Sequence, residues 1–419
     1  MNLPVTVRPS GRDTLTQGDY ISPNFQTIFP DKAFPNKVVG DTQGQPWPYL
    51  RREILHNWYV DQRHPYIGFL SRDEAHVLYN NALQFRGKSA LEVGCWMGWS
   101  AVHLALAGVH LDIIDPILAK PEARQSVESS LEAARQEFLE FGSYVLHPGY
   151  SPQKVDELAQ SGKTWSLIFI DGNHDRPAPL EDAQACVKYA APDAMILFHD
   201  LASPEVTEGL DFLRCHGWNV MVYQTMQIMG VAWRGNVQPV RHVPDPAVTW
   251  TVPEHLRPYP ICGTPEELEF RELAARVQPY TLLQDCRLYS LYRLTREICE
   301  QDRPGNIVEC GSYKGGAAAL MAAVVKRYSR RSRRVFACDT FTGMPEPTAL
   351  DCHQGVSAVA TGFGAGTLAA PITENLKQVC EVLEVTDVVT PVPGLFAETL
   401  PKFKAEMGAI ALLHADGDW

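Results

Sequence analysis

An apolar strand that stops at a carboxylate and two glycines constrains this chain most, because it occurs twice: LEVGCWMG at 91–98 and IVECGSYKGG at 307–316. The strands end Glu92-Val93-Gly94 and Glu309-Cys310-Gly311, with Gly98 and Gly315 four residues on. Glycine at a strand end permits a tight turn that brings backbone amides near a ligand, and the later glycine keeps the next helix N-terminus clear of side chains. In a mainly parallel sheet, ligands sit outside the carboxyl ends of the strands, where strand order reverses. The duplication therefore predicts two cofactor-binding strand ends in one chain.

The surrounding pattern agrees. SRDEAHVLYNNALQF reads as a helix, SALEVG as a strand, SAVHLALAG as a helix, HLDIID as a strand and PEARQSVESSLEAARQEFLEFG as a long helix. The strands YVLHPG, WSLIFID and AMILFHD follow, separated by the helices SPQKVDELAQSG and LEDAQACVKYAA. A helix, VTEGLDFLRCHG, and two strands in VMVYQTMQIMGVAWRG close the first copy. Strands alternating with helices, themselves almost continuously apolar, predict a mainly parallel sheet covered on both faces. Residues 236–262, with proline at nearly every fourth position, predict a semi-rigid, extended interdomain linker. The order then restarts over 263–419 and stops at ADGDW, after the fourth strand of the second copy. Four segments are expected: an irregular extension over 1–50, a first domain over 51–235, the linker, and a second domain over 263–419 lacking its last strands, either as a truncated version of a longer protein or with the missing pairing supplied by another chain. The extension reads either as a surface arm or as a lid or homo-oligomer contact.

Composition narrows the partners. A net charge of -12 argues against general affinity for nucleic-acid phosphates; the one basic run, KRYSRRSRR at 326–334, reads as a solvated helix end. Ten cysteines without a Cys-x-x-Cys pair point to reduced thiols and the cytoplasm, and no segment reads as a leader or a membrane span.

Neither copy contains the G-x-G-x-x-G of a nicotinamide site or a G-x-x-x-x-G-K-[ST] phosphate loop. E-x-G-x-x-x-G suits instead a cofactor bearing a sulfonium and an amino-acid tail. Asp115 and Asp339 end the second strand of each copy, placed to accept hydrogen bonds from ribose hydroxyls. On these motifs the chain resembles the class I S-adenosylmethionine-dependent methyltransferases, an α/β fold of two tandem Rossmann-like domains. Residues 86–235 resemble the catechol and cephalosporin-cluster O-methyltransferase branch, through LEVGCWMGWS, IIDP, FIDGNHD and LFHD. Residues 270–419 resemble the macrocin O-methyltransferase family, through VECGSYKGGAA, ACDTFTGMPEP, PGLFAETLP and ADGDW.

The resemblance implies S-adenosyl-L-methionine bound by Glu92, Gly94, Gly98 and Asp115 in one copy and by Glu309, Gly311, Gly315 and Asp339 in the other. It also implies a small-molecule hydroxyl acceptor such as a glycosylated natural product. Methyl transfer is an in-line displacement that needs an aligned, deprotonated oxygen, and Mg²⁺ or another divalent cation on two or three carboxylates can lower a hydroxyl's pKa. Asp171 and Asp200 are the implied metal ligands, with His199 or His174 as ligand or proton acceptor; each Asp also reads as a helix cap. Asp416 and Asp418 hold the matching end of the second copy, with Asp416 the metal ligand implied there. Trp96, Trp99 and Tyr150 either stack on adenine, line an acceptor pocket or serve as core, and Cys310 and Cys338 read as small buried residues. An alternative makes one half a non-catalytic scaffold.

Overall fold

The computed structural model describes residues 15–348, 350–353 and 355–417, in two compact units, Met1–Thr264 and Pro265–Trp419.

Unit 1 is built on a seven-stranded sheet. Three short strands come first: β1 (Lys37–Val39), β2 (Tyr59–Asp61) and β3 (His64–Phe69), which form a small sheet of their own. There follow α1 (Arg72–Ala82), β4 (Ser89–Val93), α2 (Trp99–Leu106), β5 (His110–Asp115), α3 (Pro121–Glu137), β6 (Ser143–Pro148) and α4 (Gln153–Ala159). The unit continues through β7 (Trp165–Ile170), α5 (Ala178–Lys188), β8 (Ala190–Phe198), α6 (Pro204–Cys215), β9 (Asn219–Tyr223) and β10 (Met229–Arg234). Strand order is β6-β5-β4-β7-β8-β10-β9, and β10 alone runs against its neighbours. Alternate residues of β4 supply the two cores: Ala90 packs with α1–α3, Leu91 and Val93 with α4–α6. The order reverses between β4 and β7, so the crevice at their carboxyl ends is where a ligand site belongs.

Helix α1 has a polar sequence, RDEAHVLYNNA, yet every one of its residues is buried. Such burial requires a partner for each polar group, and the flanking segments supply them. Asp73 Oδ1 accepts from the Ser22 amide at 2.9 Å, Asn80 bonds both polar backbone groups of Gln26, and the Asn81 side chain accepts from the Val240 amide at 3.0 Å. Arg72 and Lys37 pair with Asp31, which burial pushes up in pKa but these two cations bring down to about 2. The extension expected over 1–50 is thus packed across α1 from residue 15 onward, and Gln45, Trp47 and Leu50 reach the cavity wall; its first 14 residues lie outside the described ones.

Residues 236–262 differ from the extended linker expected of them. Leu256, Tyr259 and Cys262 are fully buried in unit 1, and the Cys262 amide bonds the Val222 carbonyl at 2.8 Å while the Val222 amide bonds the Pro260 carbonyl at 2.9 Å. His242 pairs at 2.7 Å with the fully buried Asp73. Proline spacing sets local stiffness but says nothing of what the segment packs against.

Unit 2 comprises α7 (Pro265–Val277), α8 (Asp285–Glu300), β11 (Asn306–Cys310), α9 (Gly316–Tyr328), β12 (Val335–Asp339), the two-residue strands β13 (Cys352–His353) and β14 (Val356–Ser357), α10 (Leu376–Val382), β15 (Val389–Pro393), α11 (Phe396–Met407) and β16 (Ile410–Ala415). Its parallel sheet, β15-β12-β11-β16, repeats the order of β6-β5-β4-β7. Among the described residues β16 is an edge strand, with Ile410 and Leu413 exposed. Among the described residues no helix is long and apolar enough to cross a membrane.

Candidate functional site

The two glycine turns have the same construction. Gly94 (φ 86°) and Gly311 (φ 93°) lie in the left-handed region, and a Cβ on either would stand 2.1 Å from the Asp171 carbonyl oxygen or 2.2 Å from that of Asp416. Only glycine lets the turn close against the neighbouring strand end. Trp96 (φ 44°) and Tyr313 (φ 50°) occupy left-handed backbone in the same turns, a conformation side chains adopt when the surroundings hold it. What holds it is an acid. The Asp115 carboxylate accepts from the amides of Cys95, Trp96 and Ile117 at 2.8–3.0 Å, and Asp339 accepts from Tyr313 at 2.9 Å and Phe341 at 2.8 Å. The acids expected to meet a ribose thus also organise the loop, while both line a cavity.

Gly98 and Gly315 cap α2 and α9 with φ of 88° and 85°. They face Val127 and Leu376 rather than a cavity, so their role in the fold is close helix packing. The two glutamates also differ from each other. Glu92 is completely buried and does not line the cavity; burial raises its pKa well above the ordinary 4.5, the Ser100 hydroxyl opposes this, and the charges of Asp171 and Asp115 add to the rise. Glu309 does line its cavity, with Oε1 3.0 Å from His414 Nδ1 and Oε2 unpartnered. The sheet register explains this: Glu92 lies beside Phe169, Glu309 beside His414.

Unit 1 encloses a cavity of about 660 Å³ at the β4/β7 switch, within the roughly 300–1,000 Å³ of small-molecule sites. Across its mouth β7 and β8 deliver Asp171 and His199–Asp200, the latter Asp at φ 60°. His174 Nε2 stands 3.5 Å from Asp171 Oδ1 and 3.3 Å from Asp200 Oδ2, and donor atoms of the three side chains lie within 4.8 Å of one another. His199 sits behind them: Nδ1 is 3.1 Å from Asp200 and 3.5 Å from Asp171, and Nε2 is 3.4 Å from Glu74. Burial works to lower the pKa of both histidines, but the adjacent carboxylates outweigh it, and His199 ends well above 6.5. Burial alone would raise the acids, yet the imidazoles draw Asp171 below its usual range and Glu74 down to about 2. His199 thus stands between three carboxylates, those of Glu74, Asp171 and Asp200.

Three participants escaped the sequence reading. Glu74 closes a capping box with Ser71 and turns its carboxylate to His199; the S-x-x-E spacing was visible, its second use was not. Gln227 donates to Asp200 Oδ1 at 3.0 Å, and Trp47 packs its ring 5.4 Å from that of His174. Of the aromatics singled out, all three lie on the cavity wall: Trp99 is otherwise buried, packed edge-on at 5.0 Å against Phe34, Trp96 is part-buried and Tyr150 exposed. Cys338 is buried and Cys310 half-buried, side by side in register.

The unit 2 cavity is smaller, about 270 Å³. Asp416 lies there with Arg287 3.8 Å away, and Asp418 falls outside the described residues. Among the described residues the one cluster of three metal-ligating side chains is that of unit 1.

The glycine turns, the loop-organising acids and the unit 1 cavity fit a nucleoside-bearing cofactor, and two carboxylates with an imidazole fit a divalent cation. Curated relatives include the 8-demethyl-8-(2,3-dimethoxy-alpha-L-rhamnosyl)-tetracenomycin-C 4'-O-methyltransferase of Streptomyces olivaceus, 32% identical over 33% of this chain and 52% of the relative. The mycinamicin III 3''-O-methyltransferase of Micromonospora griseorubida is 27% identical over 33% of this chain and 54% of the relative. The chain spans about half the length of each. Among solved structures, the O-methyltransferase NovP is 28% identical, with a TM-score of 0.29, over 33% of this chain and 56% of its own. Residues 91–201 match the family model of a methyltransferase domain and residues 268–419 that of macrocin-O-methyltransferase (TylF), one match in each unit.

Proposed function

We propose that the chain is an S-adenosylmethionine-dependent O-methyltransferase that acts on a hydroxyl of a small, sugar-bearing natural product, with a divalent cation assisting in unit 1. One observation carries this reading: Asp171, His174 and Asp200 converge on the cavity that the Gly94 turn also lines. The relatives' names supply the acceptor class. Asp171, Asp200 and His174 would hold Mg²⁺, which when bound supplies the positive charge that eases ionisation of a neutral hydroxyl. The chain does the rest. Gln227 and His199 fix Asp200, Glu74 fixes His199, and Trp47 holds the His174 ring, so the donor set is preorganised. Asp115 shapes the turn and offers its remaining lone pairs to the ribose. His174, the most exposed of the charged groups here, closes the donor set on its solvent side. The cysteines are free, which supports a reducing, cytoplasmic setting.

A second reading has its own observation, since the donor cluster is confined to unit 1 among the described residues: unit 2 binds cofactor or partner without turnover. Calorimetry with S-adenosylhomocysteine tests the main reading. Binding is expected, and a titration without heat at several temperatures defeats it.

A further inference from the structure

Asp182 is a buried acid that nothing so far uses. It lies in α5, is 3% exposed, and shares the unit 1 cavity wall with Gly149, Ser151, Gly172 and Ala178. Its Oδ2 reaches under the turn after β7, where a Cβ on Gly172 would stand 3.3 Å away. Among the described residues no cation compensates it. Burial raises its pKa to about 6, the Ser151 hydroxyl eases this only in part, and the other charge acting on it, Glu181, is of like sign. A buried carboxyl left in this state costs stability, which is the mark of a group kept for a ligand.

Position indicates which part of the ligand. Sheet order puts Gly149 and Ser151, after β6, on the flank opposite Asp200, after β8, with the Gly94 turn between. A reacting methyl group belongs beside the Asp171–His174–Asp200 cluster. The nucleoside base, at the other end of the cofactor and beyond the ribose acid Asp115, then falls on the β6 flank.

We infer that Asp182 accepts a hydrogen bond from the exocyclic amine of the cofactor's adenine and so selects adenosine over 6-oxo nucleosides. This rests on the S-adenosylmethionine reading proposed above. The carboxylate has acceptors only, whereas a 6-oxo purine presents another acceptor, so the two repel. Sites built around one hydrogen bond reject analogues that lack it.

The test uses the full chain and two probes, S-adenosylhomocysteine and S-inosylhomocysteine, titrated calorimetrically with a two-site fit. At the unit 1 site the unaltered chain is expected to prefer the adenosyl probe by at least about tenfold. Asp182→Asn, whose amide donates to a 6-oxo group, is expected to erase or invert that preference. Binding of the adenosyl probe with the same preference in Asp182→Asn overturns the inference and leaves the cofactor reading standing. Binding of neither probe overturns both. If Asp182→Asn does not fold, the unaltered chain still decides, because equal affinity for the two probes overturns the inference.

Discussion

Glu92 and Glu309 occupy the same place in two sheets of the same strand order, and their surroundings have opposite character. Glu92 lies beside Phe169, sealed from the cavity and with no cation against it among the described residues; Glu309 lies beside His414, paired with it and open to the cavity. The contrast extends along the neighbouring strand. In β7 every residue but one is buried and the end delivers Asp171 into a three-residue donor cluster, while β16 exposes half of its residues and its end delivers Asp416 beside Arg287. What the units share is the turn: two left-handed glycines, a strained aromatic between them, and an acid bonding the loop amides. The comparison teaches that one turn can be built twice while the strand beside it differs; on the function proposed above, the turn would provide for the cofactor and the strand would decide its use.

The largest expected effect would break the comparison outright. Asp171→Ala should lower methyl transfer by about 10³-fold, the loss of several kcal/mol of charge stabilisation, while Asp416→Ala should alter it only several-fold; a labelled-methyl assay on the two variants decides. Equal losses would mean that the units contribute alike.

Next in size are the turn glycines. Gly94→Ala should destabilise unit 1 by about 2–4 kcal/mol, because a left-handed φ and a backbone oxygen 2.1 Å from the new Cβ act together. Gly98→Ala should cost less, since the Val127 side chain 3.3 Å away can shift. Urea titrations of both variants measure the order.

A third change exchanges the neighbours. His414→Phe gives Glu309 the surroundings of Glu92, and the lost partner should cost unit 2 about 1–3 kcal/mol. His414 is drawn upward in pKa by Glu309 against the opposing effect of burial. Its contribution is therefore complete below 6.5 and fades as pH rises through the folded value, and the penalty of His414→Phe should shrink in the same direction.

The smallest effect is the sharpest in sign. Glu92 has a folded pKa above its ordinary 4.5, so its contribution is full below 4.5 and is lost as pH rises towards the folded value. Glu92→Gln, neutral at every pH, should differ by under about 1 kcal/mol in mild acid and lack that decline. Melting temperatures across pH for both proteins test it, and parallel curves would show Glu92 ionised in the fold.

Most strands and helices were legible because their periodicity is local: HLDIID became β5 residue for residue, and the helix expected from Pro121 begins there. The small sheet β1–β3 was missed because Lys37–Val39 pairs with Tyr59–Asp61 across a stretch rich in turn residues. At the site, residues at strand ends could be read, since chain order alone brings Asp171 and Asp200 to one edge. Glu74, Gln227 and Asp182 could not. Each reaches the cavity through packing of distant elements, as with the Glu74 carboxylate accepting from the Gln227 amide at 2.6 Å.

The central claim is that unit 1 joins a cofactor turn to a cation site in one cavity. A crystal structure of the full chain with S-adenosylhomocysteine and Mn²⁺ tests it most directly. The account predicts an anomalous peak among Asp171, His174 and Asp200, with the cofactor's ribose at Asp115. Cofactor bound elsewhere, or a peak absent from those three side chains in a cofactor-bound crystal, would contradict it.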